Sequence, residues 1–329
     1  QQIELAELLC NNSFADQAFF CNSGAEANEA AIKLARKFSR ETYGLERYEI
    51  ITAADSFHGR TMATISASNQ EKMHKGFMPL LEGFKYVDFD DLEGAKAAIG
   101  PKTAAFLVEP IQGEGGVRPA SDAFIQGLRA LADAHGIMLI LDEVQCGVAR
   151  SGTLYAYEQY GIIPDIMATA KGLGGGFPVG ACLATEEAAR GMVVGTHGST
   201  YGGNPLAVAV GTAVLDHLTA PGFLENVRER SAQLHGELSR LKAKHPDLVA
   251  EVRGKGLLAG FKLGSGVNTA MRDRLRESGL LAGVAGDNTV RLAPPLNVSA
   301  AEIEQAIEII DGALESLKQV PVAAAGTSH

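Results

Sequence analysis

Tryptophan is absent from this 329-residue chain, cysteine occurs four times, and basic residues form no block. The last two of these shortages each remove a class of reading. Only 29 Lys and Arg stand against 39 Asp and Glu, and the net charge of −10 disfavours nucleic-acid binding. No apolar run approaches the ~18–20 residues that a membrane-crossing helix needs, and no secretory signal is expected. Cys10, Cys21, Cys146 and Cys182 form no C-x-x-C pair and share no zinc-like spacing with histidine. Reduced thiols, a cytoplasmic setting and no metal site are therefore expected. The missing tryptophan by itself excludes nothing.

The remaining composition is that of an ordinary globular protein, with 46% hydrophobic and 21% charged residues. The length can bury a sizeable core and suggests two domains. Gln1 stands where a methionine would begin a complete chain, and Ile3 to Leu9 already reads as mid-helix. The chain is expected to start inside a longer protein.

Residues 137–176 organise the rest. Ile137-Met138-Leu139-Ile140-Leu141, bounded by Gly136 and by Asp142-Glu143, reads as a strand buried on both faces of a parallel sheet. An acid at the carboxyl end of such a strand lies where open α/β sheets bind ligands. Another buried run, 165–170, delivers Lys171 into Gly172-Leu173-Gly174-Gly175-Gly176, 171 − 142 = 29 positions after Asp142. The glycines would give a lysine the clearance to meet a planar cofactor. An acid on one strand end and a lysine on another form the pair that pyridoxal phosphate requires. The lysine makes a Schiff base, and the carboxylate keeps the pyridine nitrogen protonated as an electron sink. Such an acid can also simply cap a turn, and most lysines only meet solvent.

Ala18 to Cys21 is a short strand candidate that runs through Asn22-Ser23-Gly24-Ala25 into a helix to about Arg40, with Ala31, Leu34, Ala35 and Phe38 on one face. A strand, a Ser-Gly turn and a helix start make an anion site, although Ser23 or Asn22 could equally serve as a plain cap. Tyr48 to Ala53 reads as the next strand and leads to Phe57-His58-Gly59-Arg60. That segment offers a stacking face and a carboxylate clamp, or else a core aromatic and a surface pair. Ala104 to Val108 is a further buried strand, ending in Glu109-Pro110-Ile111-Gln112-Gly113-Glu114, two acids five apart. A helix over 121–135, capped by Ser121 or Asp122, follows. Three buried strands alternating with helices argue for one parallel sheet. Pro205 opens a helix to about Ala220, Pro221-Gly222 breaks it, and 223–244 reads as a helix with a solvated charged face. Val249–Leu263 and Leu281–Leu292 look like strands of a smaller α/β unit, and Ser299 with Glu302 forms a capping box for the last helix.

Taken in order, these motifs resemble the class III aminotransferases of pyridoxal-phosphate fold type I. The segments that carry the likeness are Ser23 to Ala27, Phe57 to Arg60, Val108 to Gly116, Asp142 to Gln145, the Lys171 glycine stretch and Thr196 to Pro205. The likeness covers 1–318 and is nearest the branch acting on N2-acetyl-L-ornithine. It implies a large cofactor domain over 1–220, truncated at its start, with a mostly parallel central sheet flanked by helices. A small C-terminal α/β domain over 221–319 would follow, and by its Ala/Gly/Ser-rich composition 320–329 reads as a disordered tail. It also implies a role for each motif. Ser23, Gly24 and Ala25 would cradle the cofactor phosphate, Phe57 would stack on the ring, and Asp142 would pair with its nitrogen. Val144 and Gln145 would pack on the ring and bond its phenolic oxygen. Lys171 would be the covalent anchor and proton shuttle. Thr200, with Ser199 beside it contacting substrate, would reach the partner's site in a homodimer with shared active sites. Arg60 would grip the α-carboxylate of the acyl-ornithine. Arg291 would bind that of L-glutamate or 2-oxoglutarate, with Glu114 pairing to it in the other half-reaction. Succinylornithine, ornithine or 4-aminobutyrate as substrate, an aminomutase on the same fold, and an inactive fragment are the competing readings. Ala149 stands where the family usually has glycine, and the family's amino-terminal segment is missing.

Overall fold

The computed structural model describes residues 1–44, 46–264 and 266–318. The segment 320–329, expected to be disordered, lies outside the described residues. In chain order the strands are β1 (Gln17–Cys21), β2 (Glu49–Ala53), β3 (Phe84–Val87), β4 (Thr103–Val108), β5 (Ile111–Gln112), β6 (Arg118–Pro119) and β7 (Met138–Asp142). They continue with β8 (Ile166–Thr169), β9 (Gly180–Ala184), β10 (Val249–Lys255), β11 (Leu258–Leu263), β12 (Gly283–Ala285) and β13 (Thr289–Leu292). The helices are α1 (Gln2–Asn11), α2 (Gly24–Tyr43), α3 (Met62–Ala67), α4 (Glu71–His74), α5 (Leu92–Ala98) and α6 (Asp122–His135). After them come α7 (Glu186–Ala189), α8 (Pro205–Leu218), α9 (Phe223–Lys244), α10 (Asn268–Glu277) and α11 (Ala300–Lys318).

Among the described residues seven strands make the larger sheet, in the order β1-β9-β8-β7-β4-β2-β3. Ladders β8-β7-β4-β2-β3 are parallel, and β9 runs antiparallel to both β8 and β1. Side chains alternate between faces along a strand, so each strand feeds two cores. Ile50, Leu107, Met138, Ile140 and Ile166 pack beneath α2 with Ala31, Leu34 and Phe38. Ile51, Phe106, Leu139, Leu141 and Met167 face the other way, onto α6, α1 and α8 through Leu128, Leu5 and Leu215. Helices on both faces explain why these strands read as unbroken apolar runs.

Gly180 to Ala184 was invisible as a strand in the sequence. It is short and built of small residues, and it is held by neighbours on both edges. The stretches 249–263 and 281–292 each prove to be two strands, not one. They turn at Gly256, where φ is +64°, and at Asp287 and Asn288, where φ is +51° and +53°. The resulting sheet, in the order β10-β11-β13-β12, is antiparallel. It has its own core of Leu238, Leu241, Phe261, Val290, Ile307 and Ile310, drawn from the sheet, α9 and α11. Of the alternative caps, Ser121 takes the first turn of α6, accepting from Phe124 N–H. Ser299 and Glu302 exchange the two bonds of a capping box. No single helix among the described residues is long and apolar enough to cross a membrane.

Candidate active site

The strand period places the acid. Asp142 shares the face of Met138 and Ile140, so at the carboxyl end of β7 its side chain meets the start of α2, not α6. It is 3% exposed and accepts three hydrogen bonds. Oδ1 takes Val144 N–H at 3.0 Å, while Oδ2 takes Asn28 Nδ2 at 2.8 Å and His58 Nδ1 at 2.8 Å.

The start of α2 is shaped by its own residues. Ser23 is extended, and its hydroxyl accepts from Glu26 N–H at 3.2 Å. Glu26 reaches back to Asn22 N–H at 2.6 Å and to Asn22 Nδ2 at 2.9 Å. Ser23, not Asn22, is therefore the cap. Gly24 lets the helix lie against the loop after β7, because a Cβ there would meet Val144 Cγ1 at 2.5 Å. The first-turn amides of Gly24 and Ala25 have no carbonyl one turn back to bond, and they border the open cavity.

That cavity, of about 450 Å³, gathers Asn22 and Ser23 from the β1–α2 connection, Gly24, Ala25 and Asn28 from the start of α2, and Phe57, His58 and Arg60 from the β2–α3 connection. Glu109, Asp142, Val144, Gln145 and Lys171 come from the carboxyl ends of β4, β7 and β8. Lys171 sits on a short 3-10 turn over Lys171–Gly174, at φ +42°, on the loop that joins β8 to β9. No described residue pairs with its ammonium. The glycines beyond it do not mainly clear room for a ligand. A Cβ at Gly172 would meet Val148 at 3.0 Å and one at Gly174 would meet Val179 at 2.8 Å, so these two serve the loop's own packing. Gly176 alone of the stretch borders the cavity.

Arg60 is exposed, with its guanidinium carbon 5.5 Å from the centroid of the Phe57 ring. No described carboxylate lies within ion-pair reach of it. Phe57 N–H donates to Glu109 Oε2 at 3.0 Å. Burial, and then the Asp142 charge, push the Glu109 carboxyl well above the usual range, against the pull of the Phe57 N–H and Lys171.

Next to the cavity, the tiny ladder β5–β6 frames the turn that carries Glu114. Arg291, in the middle of β13, reaches across to it, with Nη1 2.5 Å from Glu114 Oε1 and 3.1 Å from Gln145 Oε1. Burial raises the Glu114 carboxyl, but the Arg291 hydrogen bond and charge outweigh it, and the group ends below its ordinary value. Ser199 and Thr200 lie apart from this cluster. With Cys21, Glu26 and Lys33 they line a second cavity of about 570 Å³ that shares only Asn22 with the first. Ser199 Oγ accepts from Asn22 Nδ2 at 3.2 Å. The one metal-like grouping among the described residues, His245 with Asp311 and Glu315, is occupied by the Lys244 ammonium.

The sequence places Glu109, with Glu114, on the ligand side of the sheet without naming a role for it, and it gives no role to Asn28 or His58. Asn28 looks like any polar helix residue, and only the roll of α2 over β7 brings it to Asp142. A position at the end of a buried strand was the available signal for Glu109.

The donor set fits pyridoxal phosphate. Unpaired amides at a helix start suit a phosphate, and a carboxylate with a lone pair to spare suits a cationic ring nitrogen. The aminotransferase class-III family model matches residues 1–314. An acetylornithine aminotransferase of Mesorhizobium japonicum is 51% identical over 325 residues, covering 98% of this chain and 81% of the relative. Among solved structures, N-acetylornithine aminotransferase from Stenotrophomonas maltophilia is 36% identical at a TM-score of 0.82, with 96% of this chain and 79% of that one covered. Ornithine aminotransferase from Toxoplasma gondii, described with partial occupancy of PLP at its active site, is 30% identical at a TM-score of 0.92. It covers 97% of this chain, which spans 77% of it.

Proposed function

The chain belongs to the class-III aminotransferases, and from that premise we propose an enzyme that moves the δ-amino group of N2-acetyl-L-ornithine to 2-oxoglutarate. The products are N-acetyl-L-glutamate 5-semialdehyde and L-glutamate, the cofactor is pyridoxal phosphate, and the setting is arginine synthesis in the cytoplasm. The supporting observation is the meeting, in one cavity, of an acid and an unpaired lysine from adjacent strand ends beside open helix-terminal amides. The bound cofactor supplies a carbonyl to receive the amino group and a protonated ring to draw off electrons.

The chain does the rest. Ser23, Gly24 and Ala25 hold the phosphate at the positive end of α2. Asp142 would keep the proton on the ring nitrogen, Phe57 and Val144 would pack against the ring, and Gln145 would bond its phenolic oxygen. The Lys171 Nζ would anchor the cofactor and carry the transferred proton. Arg60 and Arg291 suit two substrates that both carry carboxylates, since a guanidinium fork binds a carboxylate bidentately. Glu114 covers Arg291 when the acylated amine is bound. Ser199 and Thr200 act in the partner's site of a homodimer, and exposed Val193, Val194, Tyr201 and Leu206 offer apolar surface for that contact.

Assays of N2-acetylornithine, succinylornithine, ornithine and 4-aminobutyrate with 2-oxoglutarate test the reading. Acetylornithine is expected to be fastest. Equal or better rates without the acyl group would move the substrate assignment, and turnover independent of 2-oxoglutarate would point to an aminomutase. Lys171→Ala is expected to lose the absorbance near the visible edge and several orders of magnitude in turnover. A colourless wild type that takes up no cofactor would sink the proposal.

A further inference from the structure

The two oxygens of Asp142 are not equivalent. Oδ2 accepts from both Asn28 Nδ2 and His58 Nδ1, which fills its two lone pairs. Oδ1 accepts only from Val144 N–H and keeps one lone pair. A carboxylate can only accept, so His58 Nδ1 carries a hydrogen. His58 Nε2 is buried without a partner among the described residues, and a hydrogen there would be a stranded donor. The imidazole is therefore the neutral Nδ1–H tautomer. Asn28 has its amide direction fixed in the same way. Its Nδ2 donates both to His58 O at 2.9 Å and to Asp142, leaving Oδ1 buried and unpaired. Two buried acceptors thus go unsatisfied, one on each side chain that holds this single carboxylate.

We infer that His58, assisted by Asn28, is a positioning residue that saturates Oδ2 of Asp142 and leaves Oδ1 as the oxygen presented to the cofactor's ring nitrogen. A lysine or arginine in its place would bring a full charge and cancel the carboxylate that the ring needs. A neutral N–H fixes the rotamer and leaves the charge for the ring. The inference rests on the pyridoxal-phosphate reading above.

Three variants of the full chain separate positioning from mere filling of space. His58→Asn puts an amide N–H near the place of Nδ1, His58→Gln puts one near Nε2, and His58→Leu supplies none. Cofactor dissociation constants come from absorbance titration, and the ring proton is followed by nitrogen NMR of cofactor labelled at the ring nitrogen. Loss of one charge-assisted bond is expected to weaken cofactor binding about tenfold in His58→Gln and His58→Leu, with His58→Asn restoring most of it. The ring-nitrogen signal is expected to move toward the unprotonated position in the first two and to return in the third. Equal constants and an unchanged signal in all three, with wild type loading normally, overturn the inference and leave the enzyme reading intact. Failure of the wild type to bind pyridoxal phosphate overturns both. Should His58→Leu not fold, the comparison of Asn with Gln decides alone, and equality between them counts against the inference.

Discussion

Glu114 shows how one side chain can carry a signed pH dependence. Burial alone would raise its carboxyl, but the hydrogen bond and charge of Arg291, with help from Gln145, leave it below the ordinary glutamate value of 4.5. A depressed acid adds stability above its unfolded value and loses it as pH falls through its folded value. The melting-temperature gap between wild type and Glu114→Gln should therefore be widest near neutrality and narrow as pH drops below 4.5. A gap that stays constant from pH 7 to well below 4.5 would show that the pair is energetically silent. At this scale the sequence was informative where chemistry follows from residue type at a strand end, as for Asp142 and Lys171. It was silent where a role depends on facing. Asn28 and His58 lie 30 positions apart, and His58 and Asp142 lie 84 apart; nothing local marks their meeting at one oxygen.

The turn after β7 explains how alanine serves where glycine is usual. Val148 and Ala149 both have positive φ, +53° and +66°, and Ala149 N–H bonds Leu154 O at 2.9 Å. The left-handed backbone costs an alanine ~1–2 kcal/mol. Glycine would avoid that but lose ~0.4–1 kcal/mol through a freer unfolded chain. It would also forfeit a fully buried methyl worth ~0.8 kcal/mol. The terms nearly cancel, so Ala149→Gly should change the unfolding free energy by less than about 1 kcal/mol in urea titrations. Among elements, β4, β7 and β8 were readable because burial on both faces leaves an unbroken apolar run. The antiparallel β9 was hidden, since Gly-Ala-Cys-Leu-Ala is too short and too small to declare itself without its neighbours. The division of 249–263 and 281–292 into two strands each was hidden too, because it depends on turns at Gly256 and at Asp287-Asn288 that interrupt otherwise continuous runs.

Between the larger sheet and the smaller one lies a seam closed by Arg150. Its Nη1 donates to Leu257 O at 3.1 Å and to Pro294 O at 2.5 Å, while Leu257 N–H returns a bond to Arg150 O at 2.9 Å. Gly256 is needed beside it, since a Cβ there would meet Arg150 O at 2.3 Å. Burial lowers the Arg150 guanidinium to about 10, which still leaves it charged at neutral pH. Arg150→Met keeps the stem and removes both charge-assisted bonds. It should cost about 1.5–3 kcal/mol and broaden or split the calorimetric transition as the smaller sheet comes loose first. Arg291 belongs to that smaller sheet, whereas Glu114 stands on the turn of the β5–β6 ladder and Gln145 in the loop that follows β7 of the larger sheet. On the proposed reading, an acid that draws Arg291 away from Glu114 also undoes a tie between the two halves. Affinity for that acid and the cohesion of the seam are then two sides of one equilibrium, and a change that loosens one must alter the other by the same factor.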